Sequence, residues 1–423
     1  MHIHVVQRGE VLWRIADYYN VSVQDIAELN GLSNPDILLP GQALLIPAAD
    51  NTYTVKEGDT IWQIAQNFGV NTQDLLWENK ILNPDLIYPG YVLAIPQKPK
   101  PEIDVNAFTY FLGSEAVPVV REAGDYLTYL TPFAYLINED GSLVNIDDEP
   151  AIAEAYAQGA VPVMSIVNFT VNTVGENIAD IVLNNPDIIN TLQENIINTM
   201  KDKGYRGLNI DFEYVPPKDR EAYNNFLENT VNKLHDEGFF VSTSLAPKLG
   251  GEQEGLLYEA HDYPAHGRLA DFVVLMTYEW GWRGGYPRAI SPIDEIEKVL
   301  DYAVSVIPRD KILMGFQIYA RDWKIPFEEG QEADTISVQQ AMDLAYEHMS
   351  EIQYDYVSQS PYFHYTDGEG NAHIVWFEDA RSAQAKFDTV KDYGLRGISY
   401  WGLGYEFPQN FPLLSDNFQI RKL

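Results

Sequence analysis

The chain contains no cysteine in its 423 residues. That excludes disulfides and thiolate-held metals and leaves the compartment open. Long apolar stretches are missing too. No run approaches the roughly 20 residues needed to span a bilayer, so no membrane association is expected. Basic residues are scarce, 28 Lys and Arg against 62 Asp and Glu, for a formal net charge of −34. Such a surface repels polyanions and argues against a nucleic-acid partner. His2 and His4 lie near the start without a carboxylate at metal-ligand spacing, so neither a metal nor a cofactor is expected. Met1 to Val6 runs straight into patterned sequence, with no basic segment or apolar core of a secretory signal; none is expected.

What is present is the composition of a folded protein, 46% hydrophobic and 21% charged residues. The length calls for two or three domains. Self-similarity is the first organising feature. Residues 4–47, HVVQRGEVLWRIADYYNVSVQDIAELNGLSNPDILLPGQALLIP, realign with residues 53–96, YTVKEGDTIWQIAQNFGVNTQDLLWENKILNPDLIYPGYVLAIP, at an offset of 49. Gly9 then matches Gly58, Trp13 matches Trp62, Asn30 matches Asn79 and Asn34-Pro35-Asp36 matches Asn83-Pro84-Asp85. Leu12, Ile15, Ala16 and Tyr19 recur at helical spacing. A second short helix starts near Ser22 or Val23, with Ile26 and Leu29 inward, and a Pro-Gly turn leads to a closing strand over Ala43–Ile46. Each unit therefore reads βααβ. Trp13 and Trp62 are expected to fill the two small cores.

These units resemble the lysin motif, LysM, in their Gly-Glu/Asp-x-x-Trp-x-Ile-Ala, Asn-x-x-x-Asn-Pro-Asp and Pro-Gly-x-x-Leu-x-Ile-Pro segments. The resemblance implies binding of peptidoglycan, chitin or another N-acetylglucosamine-containing polysaccharide. The strand-to-helix loop and the segment before the closing strand would form the groove. Two tethered copies gain avidity on a polymer. The expected boundaries are 1–49 and 50–97 for the repeats, a stiff Pro/Lys linker over 98–103 (Gln97 to Pro101 at its centre), and a large domain over 104–423.

In the large domain, near-continuous apolar runs alternate with amphipathic stretches such as Asp219–Asp236 and Pro292–Val306. The strand candidates are Phe108–Leu112, Tyr129–Ile137, Val161–Asn168, Gly207–Glu213, Phe239–Ala246, Phe272–Tyr278, Ile312–Ile318 and Gly397–Trp401. Strands buried on both faces and separated by helices indicate a parallel sheet, and eight such units indicate an α/β (β/α)8 TIM barrel. The domain exceeds the roughly 250 residues usual for that fold. A small α+β insertion over about 321–378, between strands seven and eight, accounts for the excess, with a helix at Val338–Met349 and strands at Tyr354–Val357, Tyr362–Tyr365 and His373–Trp376.

Strand four reads Gly207-Leu208-Asn209-Ile210-Asp211-Phe212-Glu213. Side chains alternate, so Asn209, Asp211 and Glu213 share one face and Leu208, Ile210 and Phe212 the other. The apolar set packs under the helices. The polar set points into the lumen, with Glu213 nearest the C-terminal rim, where such barrels hold their active sites.

The strand resembles glycoside hydrolase family 18, whose signature is Asp-Gly-x-Asp-x-Asp-x-Glu. Arg206 and Asn209 depart from it; Asp211 and Glu213 match. Met276-Thr277-Tyr278 on strand six and Trp401 at the end of strand eight extend the likeness over the whole domain. The resemblance implies substrate-assisted retention, in which the sugar's own 2-acetamido oxygen attacks C1, an exception to the two-carboxylate scheme. Glu213 would protonate the leaving oxygen and then activate water. Asp211 would hold the acetamido N–H, Tyr278 would place the acetamido oxygen near C1, and Trp401 would stack under the ring. Asn209 would give Asp211 a neutral hydrogen-bond partner. Phe169, Trp280, Trp282, Tyr319 and Trp323 fall at strand ends, and at least two of them are expected to stack on sugar; Gln317 and Arg321 are the further polar candidates.

Repeats, barrel and strand-four variant together resemble the cortex-degrading N-acetylglucosaminidases of spore-forming bacilli. The expected function is peptidoglycan hydrolysis in the spore coat and cortex or the cell wall, by a monomer. A chitinase is the alternative from the same parts. A non-catalytic lectin is the third reading, disfavoured because Glu213 is present.

Overall fold

A computed structural model describes residues 1–47, 52–96, 100–169 and 178–423. Residue 97, the expected end of the second repeat, and residues 98 and 99 of the expected linker lie outside that set. No helix among the described residues is long and apolar enough to cross a membrane.

Each repeat is a βααβ unit. The first pairs strands His2–Val5 and Ala43–Ile46 antiparallel around helices Leu12–Tyr19 and Val23–Leu29. The second uses Thr52–Thr54, Ile61–Asn67, Thr72–Glu78 and Val92–Ala94. The matched asparagines have a structural role. The Asn30 amide accepts from Leu45 N–H at 2.6 Å and donates to the carbonyls of Ile26 and Leu45 at 2.7 Å. Asn79 makes the same three bonds with Ala94 and Leu75. One side chain thus ties the second helix to the closing strand. The tryptophans depart from expectation: Trp13 is 59% and Trp62 63% exposed. Leu12, Ile15, Ala16 and Ile26 fill the first core. On a helix of eight residues the stripe through Leu12 and Ile15 is the inward face, and the next position is turned about 100° away from it.

The large domain is a closed barrel of eight parallel strands. They are β1 Glu102–Thr109, β2 Tyr129–Pro132, β3 Val161–Val167, β4 Gly207–Asp211, β5 Phe240–Leu245, β6 Phe272–Leu275, β7 Ile312–Gln317 and β8 Gly397–Trp401. Each pairs with the next, and β8 returns to β1 through Gly397↔Asp104 to Tyr400↔Ala107. Strand β1 starts earlier in the chain than the expected Phe108–Leu112. Its polar positions disguise it: Asp104 is buried, and Arg396 and Arg421 neutralise it at 2.5–2.6 Å. Leu208, Ile210 and Phe212 do pack beneath the helices. Inside, Phe108, Tyr129, Val163, Phe272, Val274 and Leu313 form an apolar cluster. Small polar groups also line the interior, including Asn106, which donates to Ser399 Oγ at 2.9 Å.

Between β7 and β8 the chain builds an antiparallel five-stranded sheet, in the order Asp334–Ser337, Tyr319–Ile325, Ala372–Trp376, Ser360–Thr366 and Gln353–Asp355, with one helix, Val338–Glu347. Ser337 and Gln340 form a reciprocal capping box at the start of that helix.

The first repeat is seated on this domain. Leu39 and Leu45 belong to the same apolar cluster as the barrel helices. Ile352 N–H donates to Pro40 O at 2.9 Å, Gln409 Nε2 to Asn30 Oδ1 at 2.7 Å and to Ala43 O at 2.8 Å, and Gln42 Nε2 to Tyr346 Oη at 2.5 Å. The second repeat rests on the first, through Lys56 Nζ on Asp17 O at 2.7 Å and the rings of Phe68 and His2, 4.0 Å apart.

Gly41 marks the seat. Its φ is +81°, and a Cβ there would meet Ile352 O at 1.9 Å. Its counterpart Gly90 has φ +90° and open space. Gly90→Ala should therefore cost only the left-handed backbone penalty, about 1–2 kcal/mol. Gly41→Ala should cost that plus about 1–3 kcal/mol of overpacking. Equal shifts in thermal unfolding for the two variants would contradict the seated arrangement.

Candidate active site

The C-terminal ends of the strands open into a cleft of about 630 Å³ lined by Asp211, Glu213, Tyr278, Trp280, Trp282, Trp401 and Phe169, a volume in the range of small-ligand sites. Alternation along β4 brings the carboxylates here. Asp211 ends the strand, and Glu213 stands two residues further, beyond the ladder. Both resist ionisation. Burial raises the Asp211 pKa well above the ordinary range, the Glu213 charge adds to it, and the Ser244 hydroxyl opposes the shift. Burial likewise raises Glu213. Two carboxyls so placed titrate as a pair, in which one proton favours the singly charged state.

Tyr278 lines the cleft with both, partly buried, and desolvation followed by the Asp211 and Glu213 charges holds its phenol protonated. Gly315 makes the room: a Cβ there would lie 2.8 Å from the Tyr278 ring and 2.4 Å from Leu275 O. Trp401 stands edge-on to Phe133 at 4.9 Å and to Phe108 at 5.8 Å, as one wall of the cleft. Trp282 is exposed at the rim, its ring over Gly284 and Gly285.

Asn209 lies deeper, buried in the lumen. Its amide donates to Ser242 Oγ at 3.1 Å and accepts from Ser244 Oγ at 3.1 Å. This differs from the direct pairing with Asp211 expected from the sequence: the amide is turned to the two hydroxyls of β5. Four other candidates stand behind the wall and outside the cleft lining. Gln317 is fully buried and donates to Glu378 Oε1 at 2.7 Å, and Lys386 Nζ holds the same carboxylate at 2.8 Å. Tyr319 is buried with its hydroxyl on Glu279, and Arg321 Nη2 reaches Glu279 at 2.7 Å. Trp323 is buried, its indole N–H on Gly285 O at 3.0 Å. Sequence reasoning missed Glu279, which lines the cleft with φ +68°. Its only signal was adjacency to Tyr278. It also missed Phe133 and Tyr214, likewise in the lining.

A closed barrel with one buried and one partly buried carboxyl and aromatic walls at its C-terminal mouth suits a sugar-cleaving enzyme, and the comparisons agree. The model for glycosyl hydrolases family 18 matches residues 172–406, and that for the LysM domain matches residues 4–47 and 53–96. A cortical fragment-lytic enzyme of Bacillus subtilis is 48% identical over 427 residues, covering 100% of this chain and 99% of the relative. The Bacillus anthracis cortical fragment-lytic enzyme is 44% identical, again over 100% and 99%. The crystal structure of the spore cortex-lytic enzyme SleL from Bacillus megaterium superposes with a TM-score of 0.89 at 39% identity, covering 100% of this chain and 99% of that one. The chain belongs to glycoside hydrolase family 18. It is a glycosidase carrying two LysM domains.

The raised Asp211 pKa has a stability consequence. The unfolded carboxyl ionises near 3.9, whereas the folded one resists. The stability this group contributes is whole below the unfolded value and is lost as pH rises toward the folded value. Asp211→Asn should thus melt higher than the parent at pH 7, with the gap closing as pH falls toward about 4, while activity is lost. A variant that melts no higher at pH 7 would refute the burial account.

Proposed function

We propose that the protein hydrolyses spore-cortex peptidoglycan at the β-1,4 bond following N-acetylglucosamine, with retention and with Glu213 as general acid and base. The single observation that carries the substrate is the full-length match, both repeats included, to relatives named for cortical-fragment lysis.

The placement of the acids supports the mechanism. In a retaining enzyme that uses a protein nucleophile, two carboxyls flank the sugar about 5–5.5 Å apart. Asp211 and Glu213 come from one strand, on one side of the cleft, so neither can attack the face opposite the other. The nucleophile then has to come from the substrate. Glu213, whose pKa burial raises, donates to the leaving oxygen and later takes a proton from water. Asp211 carries the negative charge that offsets the developing oxazolinium. Tyr278, a protonated phenol, donates to the acetamido oxygen. Trp401 supports the ring, Trp280, Trp282 and Phe169 offer further sugar platforms, and Asn209 braces the lumen beneath.

The same chemistry excludes cleavage after the lactam. Cortex glycan alternates N-acetylglucosamine with muramic acid or its δ-lactam. In the lactam the amide carbonyl is tied back by the second ring, and its oxygen cannot swing to C1. N-acetylglucosamine has a free acetamido group. The repeats bind the same polymer and add avidity, and the enzyme acts as a monomer within the spore integument.

Glu213→Gln should reduce turnover roughly 10²–10⁴-fold with glycan binding intact; near-normal turnover would sink the assignment. Borohydride reduction of digested cortex should yield reduced glucosamine. Reduced muramic acid or lactam in its place would overturn the bond assignment.

A further inference from the structure

The ladder that supports β4 stops short of the residue that does the chemistry. Its last pair with β3 is Val167↔Asp211, and its last pair with β5 is Ile210↔Thr243. Beyond them, Phe212 and Glu213 need hydrogen-bond partners, because a buried backbone amide left bare is costly. After Glu213 the chain turns away through Tyr214, at φ +51°. The rim carboxyl therefore stands on backbone that the sheet does not hold.

Two side chains supply what the sheet does not. On the β3 side, buried Asn168 meets Glu213 in a two-point clasp: Glu213 N–H donates to Asn168 Oδ1 at 2.9 Å, and Asn168 Nδ2 donates to Glu213 O at 2.7 Å. An amide used this way imitates the next rung of a strand. On the β5 side, buried His261 bridges two main chains, with Ala246 N–H at 2.8 Å from Nδ1 and Phe212 O at 2.8 Å from Nε2. An N–H can only donate and a carbonyl can only accept, so Nδ1 is bare and Nε2 carries the proton. The ring is neutral, and burial keeps it so by lowering its pKa to about 4.

We propose that Asn168 and His261 are positioning residues that extend the β4 ladder by one rung on each side and so fix the Glu213 carboxyl against the scissile bond. Neither touches the substrate. They act through Glu213, and the inference rests on its reading as the general acid. A misplacement of about 1 Å in a catalytic group can cost about 10²-fold in rate. Loss of the clasp should therefore fall on kcat, with KM little changed.

The test is a double-mutant cycle on a soluble cortex fragment. Asn168→Ala should lower kcat about 10–10²-fold in the parent and cause no further loss in a Glu213→Gln background, since the residue has nothing left to position. A purely structural role would add its loss in both backgrounds. His261→Gln, whose amide can accept and donate across the same span as the ring, should retain most of kcat, and His261→Leu should lose it. Should Asn168→Ala fail to fold, Asn168→Asp serves: it keeps the acceptor for Glu213 N–H, loses the donor, and should fall between parent and alanine levels. Parent-like kcat in both Asn168→Asp and His261→Leu overturns the proposal, as does a loss confined to KM or one that persists in the Glu213→Gln background. An active Glu213→Gln enzyme would instead overturn the reading of Glu213, so the two failures are distinguishable.

Discussion

Two carboxyls held one strand-step apart at the mouth of a barrel set the terms for the rest of the molecule. In water both would ionise. Here burial raises both pKa values, and the Glu213 charge raises that of Asp211 further, so the doubly charged pair is disfavoured. That state destabilises the fold, so the surroundings have to hold it. Beneath the pair, Ser242, Ser244 and Asn209 are hydrogen-bonded to one another, and the Tyr278 phenol stays protonated. Tyr319 and Arg321 hold Glu279, and Lys386, Glu378 and Gln317 form a separate, fully buried chain. A buried ion pair of that kind is weak evidence for stability. Here it anchors the insertion to β7.

The front of the chain is less modular than its repeat pattern suggests. Two copies of one unit have diverged in what they touch. In the first, Leu39, Gln42 and Ala43 are buried; their counterparts Tyr88, Tyr91 and Val92 in the second are exposed. The first copy has become part of the catalytic body. The second keeps the equivalent face open, so a chain with two glycan-binding motifs need not present two equivalent ligand faces.

Periodicity made much of this legible. The 49-residue offset located the repeats, alternation along β4 separated the lumenal acids from Ile210 and Phe212, and alternating apolar and amphipathic runs announced the barrel. What stayed hidden depended on neighbours that no local pattern reveals. Glu102–Ala107 does not look like a barrel strand because the arginines that neutralise Asp104 lie about 290 residues or more further along the chain. Gln317, Tyr319 and Trp323 sit at the end of strand seven or just beyond it, yet the insertion that follows β7 turns them into its own interior. Asn168 ended a correctly placed strand, and only the break in the ladder at Asp211 gives its amide a purpose.

In the proposed mechanism the attacking group belongs to the substrate, and Glu213, two residues past the end of β4, serves both halves of the reaction. Proton NMR of reducing ends within the first minutes of digestion addresses it most directly, before mutarotation scrambles them. The account predicts that the β anomer of N-acetylglucosamine is released first and decays toward the equilibrium mixture. Initial release of the α anomer would mean that water attacks C1 directly, and would contradict it.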